Sequence, residues 1–422
     1  MYGNTPTDTP KPTATGAWRT PAVIVACGCV IAVISYGPRS SFGFFMAPMT
    51  VENGWGRDVF AFSVAMQTLI YGMVQPFSGA IADRFGTIRV IIVGALSYAS
   101  GVYMMAHAAT AGQLYLTSGV LIGFGLTGCS FNLIISSFGK LLPESWRSIS
   151  FGAGTAAGSF GQFLFSPLGV SLIDTVGWRT TLEIFAGVLL LIIPLSLAIA
   201  TPSQDAKPGG PESVVTVQTY REALAEAFAH RSFVLLVLGY FTCGFQLNFV
   251  TLHLPSYLID RGLSAQVGGW TLGVIGLFNI VGALTSGWLA GRMPKRYILA
   301  FIYSTRALAI VFLITMPASP AVALIYGAIT GLLWLSSVPP TSGLVAVMFG
   351  TRWLAMLVGL AFLSHQVGGS LGVYLGGLLY ETTGSYNIIW WSAVFFGVLS
   401  ALINLPIVEK PVARPISASA SA

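Results

Sequence analysis

Charged residues are scarce in this chain. They make up 8% of its 422 residues, whereas 55% are apolar and 12% are aromatic. A soluble domain carries about a quarter charged residues, so this chain has too few to cover a water-facing surface of ordinary polarity. The composition also excludes a disordered protein, a disulfide scaffold and, despite a net charge of +6, a nucleic-acid binder.

Other absences limit the metal, nucleotide and proton chemistry that this protein can perform. The four cysteines, Cys27, Cys29, Cys129 and Cys243, lie inside apolar runs, where a thiol behaves as a small hydrophobe, and no Cys/His spacing fits a metal site. There is no G-x-x-x-x-G-K-S/T phosphate loop, which excludes transport driven by ATP hydrolysis in this chain. No acidic residue lies centrally in an apolar run, so no carboxylate there is available to carry a proton. We expect no cofactor, no metal and no enzymatic activity.

Long apolar stretches, in contrast, are abundant. Each exceeds 18 residues, which is the length of a membrane helix and not of a barrel strand. The sequence therefore predicts an all-α membrane protein with twelve transmembrane helices, here numbered spans 1 to 12 in chain order. The predicted spans are Trp18–Phe45, Val59–Ala82, Ile88–His107, Leu114–Phe138, Ser148–Ile173, Thr180–Ala200, Phe233–Leu258, Val267–Ala290, Ile298–Met316, Ala321–Met348, Trp353–Tyr380 and Ile388–Val408.

The spans fall into two similar halves. Glycines recur at an offset of 207 residues, as in the pairs Gly161 with Gly368 and Gly177 with Gly384. Such a repeat predicts two pseudo-symmetric six-helix bundles with the binding site between them, near the middle of the membrane. We assign 18–200 to the N-terminal bundle and 232–409 to the C-terminal bundle.

The remaining segments are polar. Residues 1–17 and 410–422 are expected to be cytoplasmic tails, the first of them disordered, and 201–231 a cytoplasmic connecting loop. Within that loop, Thr219-x-x-Glu222 has the form of a capping box before an amphipathic helix on the membrane surface. Fifteen Lys and Arg residues fall on the predicted cytoplasmic side and three in the outer loops, which places both termini inside.

The segment after span 2 reads Gly79-Ala-Ile-Ala-Asp83-Arg84-Phe-Gly86-Thr-Ile-Arg89. It resembles the loop 2–3 signature of the major facilitator superfamily, G-x-x-x-D-R-x-G-x-x-R. The resemblance implies the major facilitator fold and a secondary transporter in a bacterial cytoplasmic (inner) membrane. Such a protein lies in the lipid bilayer, carries a small-molecule substrate and is expected to work as a monomer.

The same signature implies a gate. Gly79 allows two helices to approach closely, Asp83 faces a helix N-terminus, and Arg84 and Arg89 form salt bridges that break when the halves rock. The alternative is that these charges only set the topology. The predicted gating residues are Gly79, Asp83, Arg84, Gly86, Arg89 and, from the degenerate second copy, Arg292.

A narrower resemblance is to bacterial relatives of the monocarboxylate and oxalate transporters. It rests on three stretches: Gly37-Pro-Arg39-Ser-Ser-Phe-Gly43, Cys243-Gly-Phe-Gln-Leu-Asn248 through His253-Leu-Pro255, and Phe362-Leu-Ser-His365-Gln366. The oxalate exchanger of that branch holds its dianion with an arginine on helix 8 and a lysine on helix 11. Here Ala283 and His365 stand at those positions, which disfavours a dicarboxylate substrate and leaves Arg39 as the cation.

The candidate substrate-binding residues are polar groups within spans. An arginine inside a span costs several kcal/mol unless it faces a cavity or a partner, so we expect Arg39 to bind a carboxylate; the alternative is snorkelling to the headgroups. His365 is expected to line the pathway and to titrate near neutral pH, or else to bond between helices. The other candidates, which as a class are interhelical contacts as often as ligands, are Gln246, Asn248, Gln366, Asn132 and Asn279.

The sequence contains two further polar residues of interest and allows three functions. Arg306 is expected to have a structural partner, and His253 fits an outer gate or an interface equally well.

The first function is secondary transport of a small organic anion, a monocarboxylate, by alternating access with proton coupling or exchange. The second is transport of a larger aromatic or vitamin-like solute, or drug export. A non-transporting receptor or scaffold would need a large soluble domain, and the 201–231 loop is too short for one.

Overall fold

The computed structural model describes residues 18–201, 220–350 and 354–412, and every regular element in these ranges is a helix. A π-helical stretch, Tyr115–Ile122, joins α5 to α6. The α-helices are α1 Pro21–Ser40, α2 Phe42–Asn53, α3 Arg57–Phe85, α4 Thr87–Ala106, α5 Ala111–Leu114, α6 Gly123–Gly128, α7 Phe131–Leu141, α8 Glu144–Leu190, α9 Ile192–Ser196, α10 Tyr220–Ala229, α11 Arg231–Asp260, α12 Ala265–Ala290, α13 Lys295–Thr315, α14 Pro320–Leu333, α15 Val338–Phe349, α16 Leu354–Thr383 and α17 Asn387–Asn404.

In the described ranges, eleven helical stretches are long and apolar enough to cross a membrane. The longest, Gly152–Ser196, holds two spans because it breaks at Gly177, whose φ of +82° lies in the left-handed region that favours glycine. The rings of Phe165 and Phe185 on either side are 5.5 Å apart, although a straight helix would separate them by about 30 Å. The chain therefore reverses at Gly177, and the predicted twelve-helix fold is confirmed.

Each predicted span has its counterpart among the helices. Span 1 is α1 with α2, span 4 is α5 to α7, spans 5 and 6 are α8 with α9, and span 10 is α14 with α15. Spans 2, 3, 7, 8, 9, 11 and 12 are the single helices α3, α4, α11, α12, α13, α16 and α17.

Span 1 is longer than the sequence predicts. It ends at Asn53 instead of Phe45, so its midpoint lies at Gly37. Arg39 is therefore about 3 Å from that midpoint along the axis, closer to the middle of the membrane than expected. The helix is interrupted just after Arg39, between Ser40 and Phe42, where the Ser40 hydroxyl donates to the carbonyl of Gly37 at 2.6 Å.

The buried apolar side chains form two main clusters. One comes almost entirely from residues 24–199 and the other from residues 227–407, so each half has a core of its own. The connecting helix α10 buries Ala223 and Ala227 and exposes Phe228. The expected capping residue Thr219 lies outside the described residues, as do both distal tails and positions 202–218.

Candidate functional site

The two halves meet mainly along two pairs of spans, and the end of span 1 also packs against span 7. In one pair, span 5 against span 8, the side-chain amide of Gln162 donates to the carbonyl of Leu272 at 3.1 Å, and that of Asn279 donates to the Ser159 hydroxyl at 2.8 Å. In the other pair, span 2 against span 11, a Cβ at Gly72 would come within 2.6 Å of Gln366. These glycine and amide contacts bring the halves together near their middle.

One end of this interface, here called the clamp end, is held by Arg57. The guanidinium, from the N-terminal half, contacts the Asp260 carboxylate of the C-terminal half through Nη1 at 2.7 Å and Nη2 at 2.9 Å. Its backbone N–H donates to Glu381 at 2.6 Å, and its Cζ lies 3.9 Å from the centre of the Tyr380 ring. This end is closed.

The opposite end, which carries the Gly79–Arg89 signature and is here called the signature end, is different. All side-chain hydrogen bonds and ion pairs between described residues of the two halves lie at the clamp end or in the middle. The side-chain bonds that join the halves within the described part of the chain thus lie away from the signature end, and the charge distribution predicts that this end is cytoplasmic.

Arg39 lies in the middle of span 1 and is half-buried. Its Nη2 donates to the Thr68 hydroxyl at 3.5 Å, and its Cζ lies 5.3 Å from the centre of the Tyr71 ring. Among the described residues, no carboxylate lies within 4 Å of the guanidinium. The cation is thus positioned by a hydroxyl and an aromatic face and has no anionic partner in the part of the chain described.

His365 lies in the other half, at the far end of a row of aromatic rings. Tyr71 packs edge-on against Phe362 at 5.8 Å, and Phe362 stacks on His365 at 5.8 Å with an interplanar angle of 7°. His365 is buried, with its Nδ1 at 3.1 Å from Oε1 of Gln366. The structure therefore connects Arg39 to His365 through two rings and does not place them in contact.

The candidate amide side chains differ in whether they contact their own half or the other half of the protein. Asn248 donates to the carbonyl of Gly244 in its own helix at 3.1 Å and lies against Gly369 of α16, one turn from His365. Asn279 is fully buried, and besides its bond to Ser159 it accepts from the N–H of Leu335 at 2.9 Å.

The other two amides lie elsewhere. Gln246 donates to the carbonyl of Ala393 at 2.9 Å and so faces span 12 instead of the other half. Asn132 is exposed at the start of α7. His253, weighed as a gate or an interface residue, is fully buried, with Nε2 at 2.8 Å from the carbonyl of Val373 and Nδ1 at 3.2 Å from the Tyr386 hydroxyl.

Arg306 is buried beside a break in span 10 that the sequence analysis missed. Its Nε donates to the carbonyl of Leu333 at 3.1 Å, and Nη2 donates to the carbonyl of Trp334. These carbonyls end α14, where helical partners are missing. Nη1 also donates to Sγ of Cys243 at 3.3 Å. The adjacent prolines Pro339 and Pro340 could have indicated the interruption.

Comparison with known proteins gives the family. The model of the Major Facilitator Superfamily matches residues 28–373, which is most of the chain. The chain belongs to the Major Facilitator Superfamily. It is a multi-pass membrane transport protein and not an enzyme.

Its relatives in sequence include monocarboxylate transporters. The chain is 28% identical over 386 residues to the uncharacterized MFS-type transporter YcxA of Bacillus subtilis (strain 168), covering 89% of this chain and 92% of that protein. It is 25% identical to monocarboxylate transporter 13 of Bos taurus, covering 90% and 88%, and 25% identical to monocarboxylate transporter 11 of Homo sapiens, covering 90% and 81%. The resemblance to that branch, expected from three short stretches, is confirmed.

Solved structures share the fold. A bacterial homolog of the human lysosomal transporter Spinster, in an inward-facing and unoccupied conformation, superposes with a TM-score of 0.73 at 15% identity, covering 92% of this chain and 97% of that one. A D-xylose-proton symporter gives a TM-score of 0.68 at 17% identity, covering 93% and 98%.

The described residues of the signature make few contacts in this conformation. Gly86 has a φ of +87° in the turn between α3 and α4, which explains glycine there. A Cβ at Gly79 would meet nothing within 4 Å, so the expected close helix contact is not formed. Arg84 and Arg89 are exposed, and neither lies within 4 Å of a described carboxylate. Arg292 lies over the Trp288 ring at 4.0 Å, and the side chain of Asp83 is outside the described part.

Proposed function

We propose that this transporter moves a small organic anion, a monocarboxylate, across a bacterial cytoplasmic membrane by alternating access, with proton symport or exchange as the coupling. The observation that carries the proposal is Arg39, a cation in the middle of span 1 with no carboxylate partner among the described residues. The printed names of several relatives, monocarboxylate transporters 11 and 13, support the same substrate class.

The energetics favour an anionic ligand at Arg39. A charged side chain within the bilayer costs several kcal/mol, and leaving it buried without a partner keeps that cost. A substrate carboxylate provides the partner, and the planar guanidinium can bind both of its oxygens at once. Thr68 and the Tyr71 face hold the guanidinium in place before the substrate arrives.

The neighbouring rings favour an apolar body on the substrate. Tyr71 and Phe362 lie between the Arg39 guanidinium and the polar groups of the other half, His365 and Gln366. A monocarboxylate bound at Arg39 would lay its apolar part along these rings. The same row of rings favours the second candidate, a larger aromatic or vitamin-like solute or an exported drug, if contact with the rings contributes more binding free energy than the charge of Arg39.

The difference between the two ends of the interface supports alternating access. Release of Arg57 from Asp260 would open the clamp end, and approach of the helices at Gly79 would close the signature end. The predicted gating set is consistent with this cycle because three of its members, Arg84, Arg89 and Arg292, are exposed in the present conformation. We propose that one chain completes the cycle as a monomer.

Ligand-induced thermal stabilisation of the purified protein tests the substrate class. Each carboxylate is paired with its neutral amide, for example pyruvate with pyruvamide and benzoate with benzamide. A bound carboxylate stabilises the protein by RT ln(1 + [L]/Kd), about 2.7 kcal/mol at a hundredfold excess over Kd, whereas its amide should give almost no shift. Stabilisation by the amides and not by the carboxylates would overturn the proposal and favour the second candidate.

A further inference from the structure

His253 of span 7 lies next to the clamp end and is fully buried. Its Nε2 is 2.8 Å from the carbonyl of Val373 in span 11, and its Nδ1 is 3.2 Å from the hydroxyl of Tyr386, just before span 12. A Cβ at Gly376 would lie 2.6 Å from Nε2, so glycine at that position leaves room for the imidazole. Spans 7, 11 and 12 therefore meet around this one ring.

The carbonyl of Val373 fixes the direction of every hydrogen bond that follows from it. A carbonyl oxygen can only accept, so Nε2 of His253 donates, and Nδ1 of the neutral imidazole accepts from the Tyr386 hydroxyl. Having given its one hydrogen to the imidazole, the Tyr386 oxygen accepts from Nη1 of Arg57 at 3.1 Å. The same Nη1 donates to Asp260 at 2.7 Å. The imidazole thus turns the lone pairs of the hydroxyl toward the guanidinium.

The guanidinium of Arg57 also lies against two rings of the C-terminal half. Its Cζ is 3.9 Å from the centre of the Tyr380 ring and 5.8 Å from that of the Tyr386 ring, and these two rings are 4.7 Å apart. The rings and the hydroxyl together hold the guanidinium in the orientation in which both Nη atoms reach Asp260.

Span 11 connects this network to the row of rings at the candidate substrate site. The unbroken helix α16 carries Phe362 of that row and, about 16 Å further along its axis, the Val373 carbonyl that binds His253. Its outer end carries Glu381, which accepts from the backbone N–H of Arg57 at 2.6 Å. A displacement of this helix therefore reaches the clamp at two points, through His253 and through Glu381.

We propose that His253 is a positioning residue of the clamp, which holds Arg57 on Asp260 through the hydroxyl of Tyr386 while this end of the pathway is closed. The inference rests on the proposed alternating access, in which the clamp end opens and closes. Of the two roles that the sequence allows for His253, it selects the gate, because the imidazole acts on the contact that joins the halves.

Distances between spin labels across the clamp end test the role of His253 without a substrate. The labels are placed at Val51 and Thr382, exposed positions of the two halves, after replacement of Cys27 and Cys29 by alanine. His253→Leu removes the donor and the acceptor of the imidazole. It should raise the ratio of long to short distances about fivefold, which is the effect of one lost hydrogen bond.

Two further variants separate positioning from packing. His253→Gln should restore the wild-type ratio, because a glutamine amide offers a donor to Val373 and an acceptor to Tyr386. Tyr386→Phe keeps the ring and loses the hydroxyl, so it should raise the ratio as much as His253→Leu does. The double variant should raise the ratio no further, since both single changes remove the same bond to Arg57, whereas a packing role would give effects that add.

Tyr257→Phe is the matched control. Tyr257 lies one turn from His253 in α11, and its hydroxyl accepts from Arg261 of the same half at 2.8 Å, so its loss should leave the distances unchanged.

The inference would be overturned by an unchanged ratio in Tyr386→Phe or His253→Leu when Asp260→Asn has opened the clamp end. It would also be overturned by additive effects in the double variant or by no recovery in His253→Gln. An unchanged ratio in Asp260→Asn as well would overturn the proposed opening of the clamp end, on which the inference rests.

Discussion

Arg57 and Asp260, 203 residues apart in the chain, form a two-pronged ion pair between the halves of the transporter at 2.7 and 2.9 Å. Their side chains are 17% and 29% exposed, so water screens the pair only in part. Because the contact joins the N-terminal half to the C-terminal half, it must break whenever the clamp end opens. We therefore expect the pair to contribute to the balance between the two ends of the proposed pathway.

We expect Asp260→Asn to favour opening of the clamp end. Loss of one partially buried ion pair changes the balance by about 1 kcal/mol, or about fivefold in the ratio of the two conformations. Spin labels at the exposed positions Val51 and Thr382, after replacement of Cys27 and Cys29 by alanine, would report a longer distance.

The control for the clamp is Arg179→Ala. Arg179 pairs with Glu52 at 2.7 Å near the same end, but both residues belong to the N-terminal half. Its loss should leave the label distances unchanged. An equal change in both variants, or none in Asp260→Asn, would show that the Arg57–Asp260 pair does not control opening.

Arg39→Lys is expected to weaken carboxylate binding about tenfold, or about 1.4 kcal/mol. Lysine keeps the charge but loses the planar fork that binds two carboxylate oxygens and the flat face that lies over Tyr71. The Kd of the most strongly stabilising carboxylate, measured by thermal shift, checks this. Arg261→Lys, which alters an outer-loop arginine bonded to Tyr257, is the control, and an unchanged Kd in Arg39→Lys would remove Arg39 from the site.

Gly79→Val is expected to slow transport while leaving the protein stable. A Cβ at Gly79 meets nothing within 4 Å in the present conformation, so the valine obstructs only the state in which the signature end has closed. Gly94→Val is the contrasting variant, since its Cβ would lie 2.6 Å from Cα of Gly128 and should lower the Tm. The rate of substrate uptake and the Tm of both variants test this prediction. Uptake by Gly79→Val at the wild-type rate would contradict the gating role.

Arg306→Met is expected to destabilise the fold by about 3 kcal/mol. The methionine leaves the carbonyls at the break in span 10 without donors, and each unsatisfied buried acceptor costs about 1–3 kcal/mol. A lowered Tm should be seen with and without ligand. Arg292→Met, which removes an exposed guanidinium from above Trp288, should change the Tm little, and equal Tm values in both variants would contradict the structural role.

The class of the protein and the number of its spans could be predicted from the amino-acid sequence. Run length and composition suffice for this because a membrane helix must satisfy its backbone bonds internally and needs about 20 apolar residues. The repeat also placed Gly177 and Gly384 at equivalent turns, and both have positive φ. Charged residues inside spans are costly, so the position of Arg39 within an apolar run was enough to make it a candidate.

The contacts between side chains, in contrast, could not be predicted from the sequence. Gln246 faces span 12 and not the other half, Arg306 reaches Cys243 across 63 residues of sequence, and two rings separate Arg39 from His365. These outcomes depend on how each helix is rotated about its own axis. Helices that are apolar on all sides contain no periodicity that fixes their rotation, so the packing of small residues and buried polar groups against neighbouring helices sets it.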